Sequence, residues 1–226
     1  MADESSEPVT QMVALSRVPL LRDRAVEALR ELLLSGGLKQ GDRINEVELA
    51  AQLRISRGPL REAIQRLRAE GIVESRQNQG AYVRVISPED LAQLFDFREL
   101  IERKAAALVA VRGSASDLAR LRDYIEAARK SLRAGEPYPR SAGDLHKLIL
   151  EMCGNPYLQL AGQNIQNQVR LARIQARRGP QWAAGVYEQH EIIIAAIEQR
   201  DPERASLAMA DHLRSSLKHL SDTENG

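Results

Sequence analysis

What this chain has little of already narrows its function. Among 226 residues there is one cysteine, Cys153, so no internal disulfide can form and the composition fits a reducing cytoplasm. No apolar run approaches the roughly 18 residues of a membrane span, and the amino terminus lacks a basic-then-apolar leader, so neither membrane insertion nor secretion is expected. Aromatic residues are only 4% of the chain, and Trp182 and the five tyrosines are too dispersed to form a stacking platform. Net charge is +1, so affinity for a polyanion has to come from local clustering. What remains, 43% hydrophobic and 28% charged, is ordinary for a globular protein with room for two modest domains.

The clustering is there. Between Arg54 and Arg84 seven arginines face three glutamates, a net of +4, whereas 88–226 holds nineteen basic and nineteen acidic residues. Within the basic part, Asn45 to Gly71 reads as two short helices crossed by a tight turn. Leu49, Ala50 and Leu53 give the first a buried side, and Arg54-Ile55-Ser56 has the length of a helix-turn-helix turn, with Ser56 capping the second helix. In that second helix Leu60, Ala63, Ile64 and Leu67 recur at helical spacing, and Arg57, Arg61, Gln65 and Arg68 share another face. Such a face suits the major groove of DNA, where guanidinium forks meet guanine edges, and by periodicity alone it equally suits a solvated helix. Two short β-type runs, 72–76 and 81–86, follow around the turn signal Asn78-Gln79-Gly80, which adds a two-stranded wing.

Taken together, GGLKQGDRINEVELAAQLRISRGPLREAIQRLRAEGIVESRQNQGAYV resembles the winged-helix domain of the GntR superfamily of bacterial transcription regulators. The resemblance implies binding to double-stranded DNA at a palindromic operator. The residues placed at the interface are Ser56, Arg57, Arg61, Gln65, Arg76 and Gly80. Gly58 stands where that family usually has threonine, which removes a hydroxyl and shifts weight onto Ser56, Arg76 and the wing backbone at Gly80.

The rest of the chain is mainly α. Residues 1–16 are polar and read as a flexible arm, and 17–86 as the winged-helix domain, opened by an amphipathic helix over 20–34 that Ser35-Gly36-Gly37 ends. At Ile86-Ser87-Pro88 a new domain starts, with Ser87 as N-cap, Pro88 at the first helical position, and Glu89 and Asp90 complementing the helix dipole. Helical periodicity then runs through 88–112, 116–134, 141–153, 155–178, 182–199 and 202–221. The expected fold is an N-terminal winged helix-turn-helix domain plus a C-terminal all-α helical bundle over 87–221, with a flexible tail at 222–226.

Within the bundle, FDFRELIERKAAALVA, DLHKLILEMCGN, YEQHEIIIAAIEQRDPERA and MADHL resemble the effector-binding (FCD) domain of the FadR-type branch of that family. This implies a homodimer that binds a small organic acid, and one divalent metal per chain held by His146, His190 and His212. The family's fourth ligand, an Asp four residues before the first His, is Ala142 here, and Asp144 would point roughly 200° around a regular helix from that position. Three neutral imidazoles suit zinc or nickel, and loss of the anionic ligand weakens the site for harder metals. Without the resemblance, three histidines on separate helices are equally buried or surface residues of no special role. Arg98 sits where the family has an Arg that faces the ligand; on local spacing alone it equally pairs with Glu102 one turn later. Asn164 and Asn167 share a helical face and are the remaining effector-binding candidates.

The reading is a cytoplasmic, DNA-binding transcription regulator, a repressor, controlled by a metabolite, and not an enzyme. The alternatives are a metal-dependent enzyme carrying a winged-helix module, with Asp144 or Glu191 as base, and an architectural DNA binder without sequence preference, which the pocket-like second domain disfavours.

Overall fold

The computed structural model describes residues 21–135, 144–174 and 180–224. The described residues are mainly helical, and their one small sheet is the wing. Helix α1 (Leu21–Leu34) buries Ala25, Val26, Leu29 and Leu33 over a helix-turn-helix of α2 (Glu46–Gln52) and α3 (Arg57–Ala69). Asn45 caps α2, its side chain accepting from Val47 N and Glu48 N at 3.2 and 3.3 Å. The turn between the helices is made by Arg54 in the left-handed region, φ +53°, which lets Ile55 N reach back to Ala50 O at 3.0 Å.

Ser56 does occupy the N-cap position of α3, but its hydroxyl makes no capping hydrogen bond, and in this respect the sequence reading is corrected. The helix relies instead on burial of Leu60, Ala63, Ile64 and Leu67, the four positions its periodicity marks out. Strands β1 (Val73–Arg76) and β2 (Gly80–Val83) pair antiparallel, Val73 opposite Val83 and Arg76 opposite Gly80. Asn78 (φ +59°) and Gly80 (φ +99°) supply the positive dihedrals that the tight reversal requires.

Helix α4 (Pro88–Arg112) begins at Ser87 with a full capping box: the Ser87 hydroxyl accepts from Asp90 N, and the Asp90 carboxylate accepts from Ser87 N. A second capping box, Ser114 with Asp117, opens α5 (Ala115–Arg133). The bundle is completed by α6 (Leu145–Met152), α7 (Pro156–Arg173), α8 (Pro180–Glu198) and α9 (Pro202–Glu224). Helix α4 is its axis, packed along α9 and also against α6, α7 and α8. No described helix is long and apolar enough to cross a membrane.

Helix α7 packs into the bundle and also meets the winged helix. Gly162, Ile165, Val169 and Ala172 are buried, and Gly162 lies so close to Leu150 that any larger side chain would collide with it. Toward the winged helix the same α7 presents polar groups. Asn167 donates to Glu70 Oε2 at 3.1 Å, Gln168 donates to Glu70 O at 3.2 Å and accepts from Arg84 at 3.2 Å, and Leu171 O accepts from Gln40 at 3.1 Å. Glu70 is also held by Arg30 at 2.6 Å, and the Gln40 side-chain oxygen Oε1 accepts from Ile86 N at 2.8 Å, so the joint before α4 is tied into this seam. Gly71 (φ +76°) has a left-handed backbone that favours glycine, and a Cβ there would push the Gln168 amide out of its place in the seam.

Candidate functional site

Two sites emerge. The first is on the surface. Arg57, Arg61, Gln65 and Arg68 are exposed together on α3, and Ser56, Arg76 and Gly80 are exposed beside them at the helix start and on the wing. A cleft of about 460 Å³ lies between α2, the start of α3 and the wing turn, and Arg43, Glu46, Arg57, Arg61 and Gly80 are among the residues lining it. Glu46 is an acid inside this basic face: Arg61 Nε donates to its Oε2 at 2.7 Å, and Arg57 Nη2 lies 3.8 Å from the same oxygen. On the wing, Arg76 lies over the Tyr82 ring at 4.1 Å and pairs with Glu74 at 2.9 Å, which holds its guanidinium on the outer surface.

The second site is buried. His146 from α6, His190 from α8 and His212 from α9 are each no more than 2% exposed, and their ligating nitrogens lie within 4.8 Å of one another. His212 Nε2 is 3.2 Å from His146 Nε2 and 3.3 Å from His190 Nε2. The outer nitrogen of each ring is anchored: His146 Nδ1 on Glu102 Oε2 at 2.5 Å, His190 Nδ1 on the Tyr124 hydroxyl at 2.7 Å, and His212 Nδ1 on Gln189 Oε1 at 2.8 Å. A carboxylate and an amide oxygen only accept, so His146 and His212 each carry a proton on Nδ1 and turn Nε2 inward.

These contacts bear on what the centre can hold. A neutral imidazole has a single acceptor nitrogen, so His212 Nε2 cannot accept from both neighbours, and at least one nitrogen–nitrogen contact has no proton between its atoms. A shared cation relieves that repulsion. Burial first, then His146 and the Arg173 and Arg98 guanidiniums, keep His190 well below the ordinary imidazole range; burial first, then His190, His146 and the same two guanidiniums, do so for His212. Both are thus neutral ligands-in-waiting, and their anchored outer nitrogens are the arrangement that metal-binding histidines usually have.

Arg98 and Glu102 complete the centre from α4. Both readings of Arg98 hold at once: its Nε donates to Glu102 Oε1 at 2.6 Å, an ion pair buried on both sides, and the pair sits directly behind His146. Arg98 Nη1 is buried without a hydrogen-bond partner among the described residues. Burial pushes the Glu102 carboxyl up, but the Arg98 guanidinium and His146 outweigh it and hold it down at about 2.

The remaining expectations divide. Ala142 lies outside the described residues. Asp144 caps α6, its carboxylate accepting from His146 N at 3.0 Å, and Glu191 is engaged by Arg129 Nε at 2.8 Å, so each carboxylate already has its own partner. Asn164 is half-buried on α7. Asn167 is placed elsewhere than expected, in the seam with Glu70. Glu102 as a histidine anchor, Tyr124, Gln189 and Glu46 escaped the sequence reading; only Gln189, next to His190, had any local signal.

Residues 21–83 match the model for bacterial regulatory proteins of the gntR family, and residues 93–215 match the FCD domain. The Nta operon transcriptional regulator of Aminobacter aminovorans is 30% identical over 205 residues, covering 86% of this chain and 92% of that protein. The transcriptional repressor NanR of Salmonella arizonae is 26% identical, with 92% and 89% covered. In fold, the E. coli protein McbR/YncC superposes with a TM-score of 0.75 at 21% identity, over 89% of this chain and 97% of that one. A winged helix with an exposed arginine face, joined to a helical bundle around a histidine centre, and matched along its length in this way, belongs to the GntR family of transcription regulators, in the group that carries an FCD domain.

Proposed function

We propose that this protein is a homodimeric repressor whose hold on a palindromic operator is set by an anionic metabolite, an organic acid, bound at the histidine centre together with a divalent metal. The observation that carries this reading is the convergence of three inward-facing imidazole nitrogens with a buried, partly unpartnered guanidinium. His146, His190 and His212 would hold zinc or nickel, for which an all-nitrogen set is suited. Such a cation supplies a Lewis-acidic anchor for a carboxylate. Arg98 adds a second, charge-assisted contact through Nη1. Because the centre is closed, a metabolite has to part the surrounding helices, and α7 is the one that also carries the seam to Glu70, Gln40 and Arg84.

Effector binding and operator binding are then linked. An effector that weakens operator binding tenfold must itself bind tenfold more weakly to the DNA-bound protein, a coupling of about 1.4 kcal/mol. The test is a thermal-shift screen of organic acids with and without zinc or nickel, followed by metal analysis and titration calorimetry. His190→Ala is expected to lose the metal. Arg98→Lys, which keeps a charge beside Glu102, is expected to lower effector affinity about tenfold or more while effector-free operator binding stays near wild type. Wild-type effector affinity in both variants would move the pocket elsewhere. Deleting the protein should raise expression from its operator; a fall would make it an activator.

The face that meets the second copy is proposed on α4 and α9. Leu100, Lys104, Ala107 and Val111 fall on one stripe of α4, with Leu100 72% and Val111 62% exposed, and Leu207 of α9 lies across the groove at 58%. Arg103 and Lys104 opposite Glu203 give this groove both signs of charge, which suits a two-fold contact with itself. Leu100→Glu with Leu207→Glu should yield a monomer by light scattering, with operator affinity lowered about a hundredfold or more as the second half-site is lost. A dimer of unchanged stability would assign the interface to another face.

A further inference from the structure

The acid in the reading face calls for a reason. A carboxylate beside phosphates weakens DNA binding, and an exposed ion pair contributes little to folding, so neither affinity nor stability accounts for Glu46. Its geometry does. One oxygen, Oε2, lies 2.7 Å from Arg61 Nε and 3.8 Å from Arg57 Nη2. The two guanidiniums, one turn apart on α3 and mutually repelling, are drawn toward a common point. The arginine side chains remain 56% and 61% exposed, whereas the Glu46 side chain is 27% exposed, so the acid is the rooted member of the cluster. Asn45 fixes the first turn of α2 from which Glu46 projects.

We infer that Glu46 is a positioning residue that sets base specificity: it holds Arg61, and more loosely Arg57, in the orientation that reads guanine, at the expense of overall affinity for DNA. With its Nε engaged, Arg61 presents its two terminal nitrogens as the pair that forks onto guanine O6 and N7. Without Glu46 the two side chains sample other rotamers and find phosphates instead. The inference rests on the reading of Arg57 and Arg61 as base contacts.

The test uses full-length protein, an operator duplex obtained by in vitro selection, and a scrambled duplex of equal length, with binding followed by anisotropy over a range of salt. Glu46→Ala is expected to bind the scrambled duplex about three- to tenfold more tightly, while the ratio of specific to non-specific affinity falls about tenfold and a guanine-to-adenine change in the site costs less. Glu46→Gln, which keeps an acceptor for Arg61 Nε and loses the charge, should share the non-specific gain and retain more of the guanine preference. A merely structural role would not move the ratio, because both duplexes bind the same folded fraction. A specificity ratio within about twofold of wild type in both variants would overturn the inference. Unchanged operator affinity in Arg57→Ala and Arg61→Ala is a separate result: it would remove the guanine reading beneath the inference.

Discussion

Replacing Glu102 by alanine is expected to cost about 3–5 kcal/mol of folding stability, the largest effect of any substitution in the histidine centre. The change leaves Arg98, itself 2% exposed, as an uncompensated buried charge, and it strips the acceptor from His146 Nδ1. Replacing Arg98 and Glu102 together by methionine and leucine should recover part of the loss, since no charge is then stranded, although His146 still lacks its partner. Urea unfolding of the three variants in the presence of chelator measures this. A Glu102→Ala protein within about 1 kcal/mol of wild type would mean that the pair is not buried as described.

The same centre predicts how the metal-free protein responds to acid. His190 and His212 have folded-state values depressed below the ordinary 6.5, so the unfolded chain binds protons there that the folded chain does not. Their stabilising contribution is present above about pH 6.5 and is lost as pH falls below it, at up to about 1.4 kcal/mol per pH unit for each ring. Glu102 adds a second window: its value drops from 4.5 to about 2 on folding, so its contribution is present above pH 4.5 and is lost between there and about 2. Stability should therefore fall in two steps on acidification. A profile that is flat between about pH 7 and 5 would show that the imidazoles are not buried neutral.

The second large effect is on DNA. Arg57→Ala and Arg61→Ala should each weaken binding to the selected operator by about 1–3 kcal/mol, and the double variant should bind it scarcely better than a scrambled duplex. The two losses should not add, because both side chains share Glu46 Oε2 and removal of one changes the setting of the other. Folding should be untouched, since both side chains are more than half exposed and α3 is held by Leu60, Ala63, Ile64 and Leu67. Gln65→Ala, farther along the same face, should have a smaller effect. Full operator affinity in a folded Arg57/Arg61 double variant would sink the assignment of α3 as the reading helix.

The local rules of the chain were enough for its elements. Apolar spacing, Ser87 as a cap with Pro88 behind it, and Asn78-Gln79-Gly80 as a turn mark where helices and strands begin and end, because those signals act within a few residues. The face of α3 that carries Arg57 and Arg61 follows from the same periodicity. What the tertiary structure alone decided are relations between distant residues. His146, His190 and His212 come from three helices, and nothing in their spacing requires the nitrogens to meet. The Arg98–Glu102 pair is local, one turn apart, yet that Glu102 also anchors His146, 44 residues away, depends on how α6 lies on α4. Asn167 shows the limit most clearly. Period alone does not tell which face of α7 meets the bundle and which the winged helix, and it is the docking that sets the Asn167 amide on Glu70. Side-chain partners across the fold are set by how helices dock, and docking energy is spread over many apolar contacts that no single residue announces.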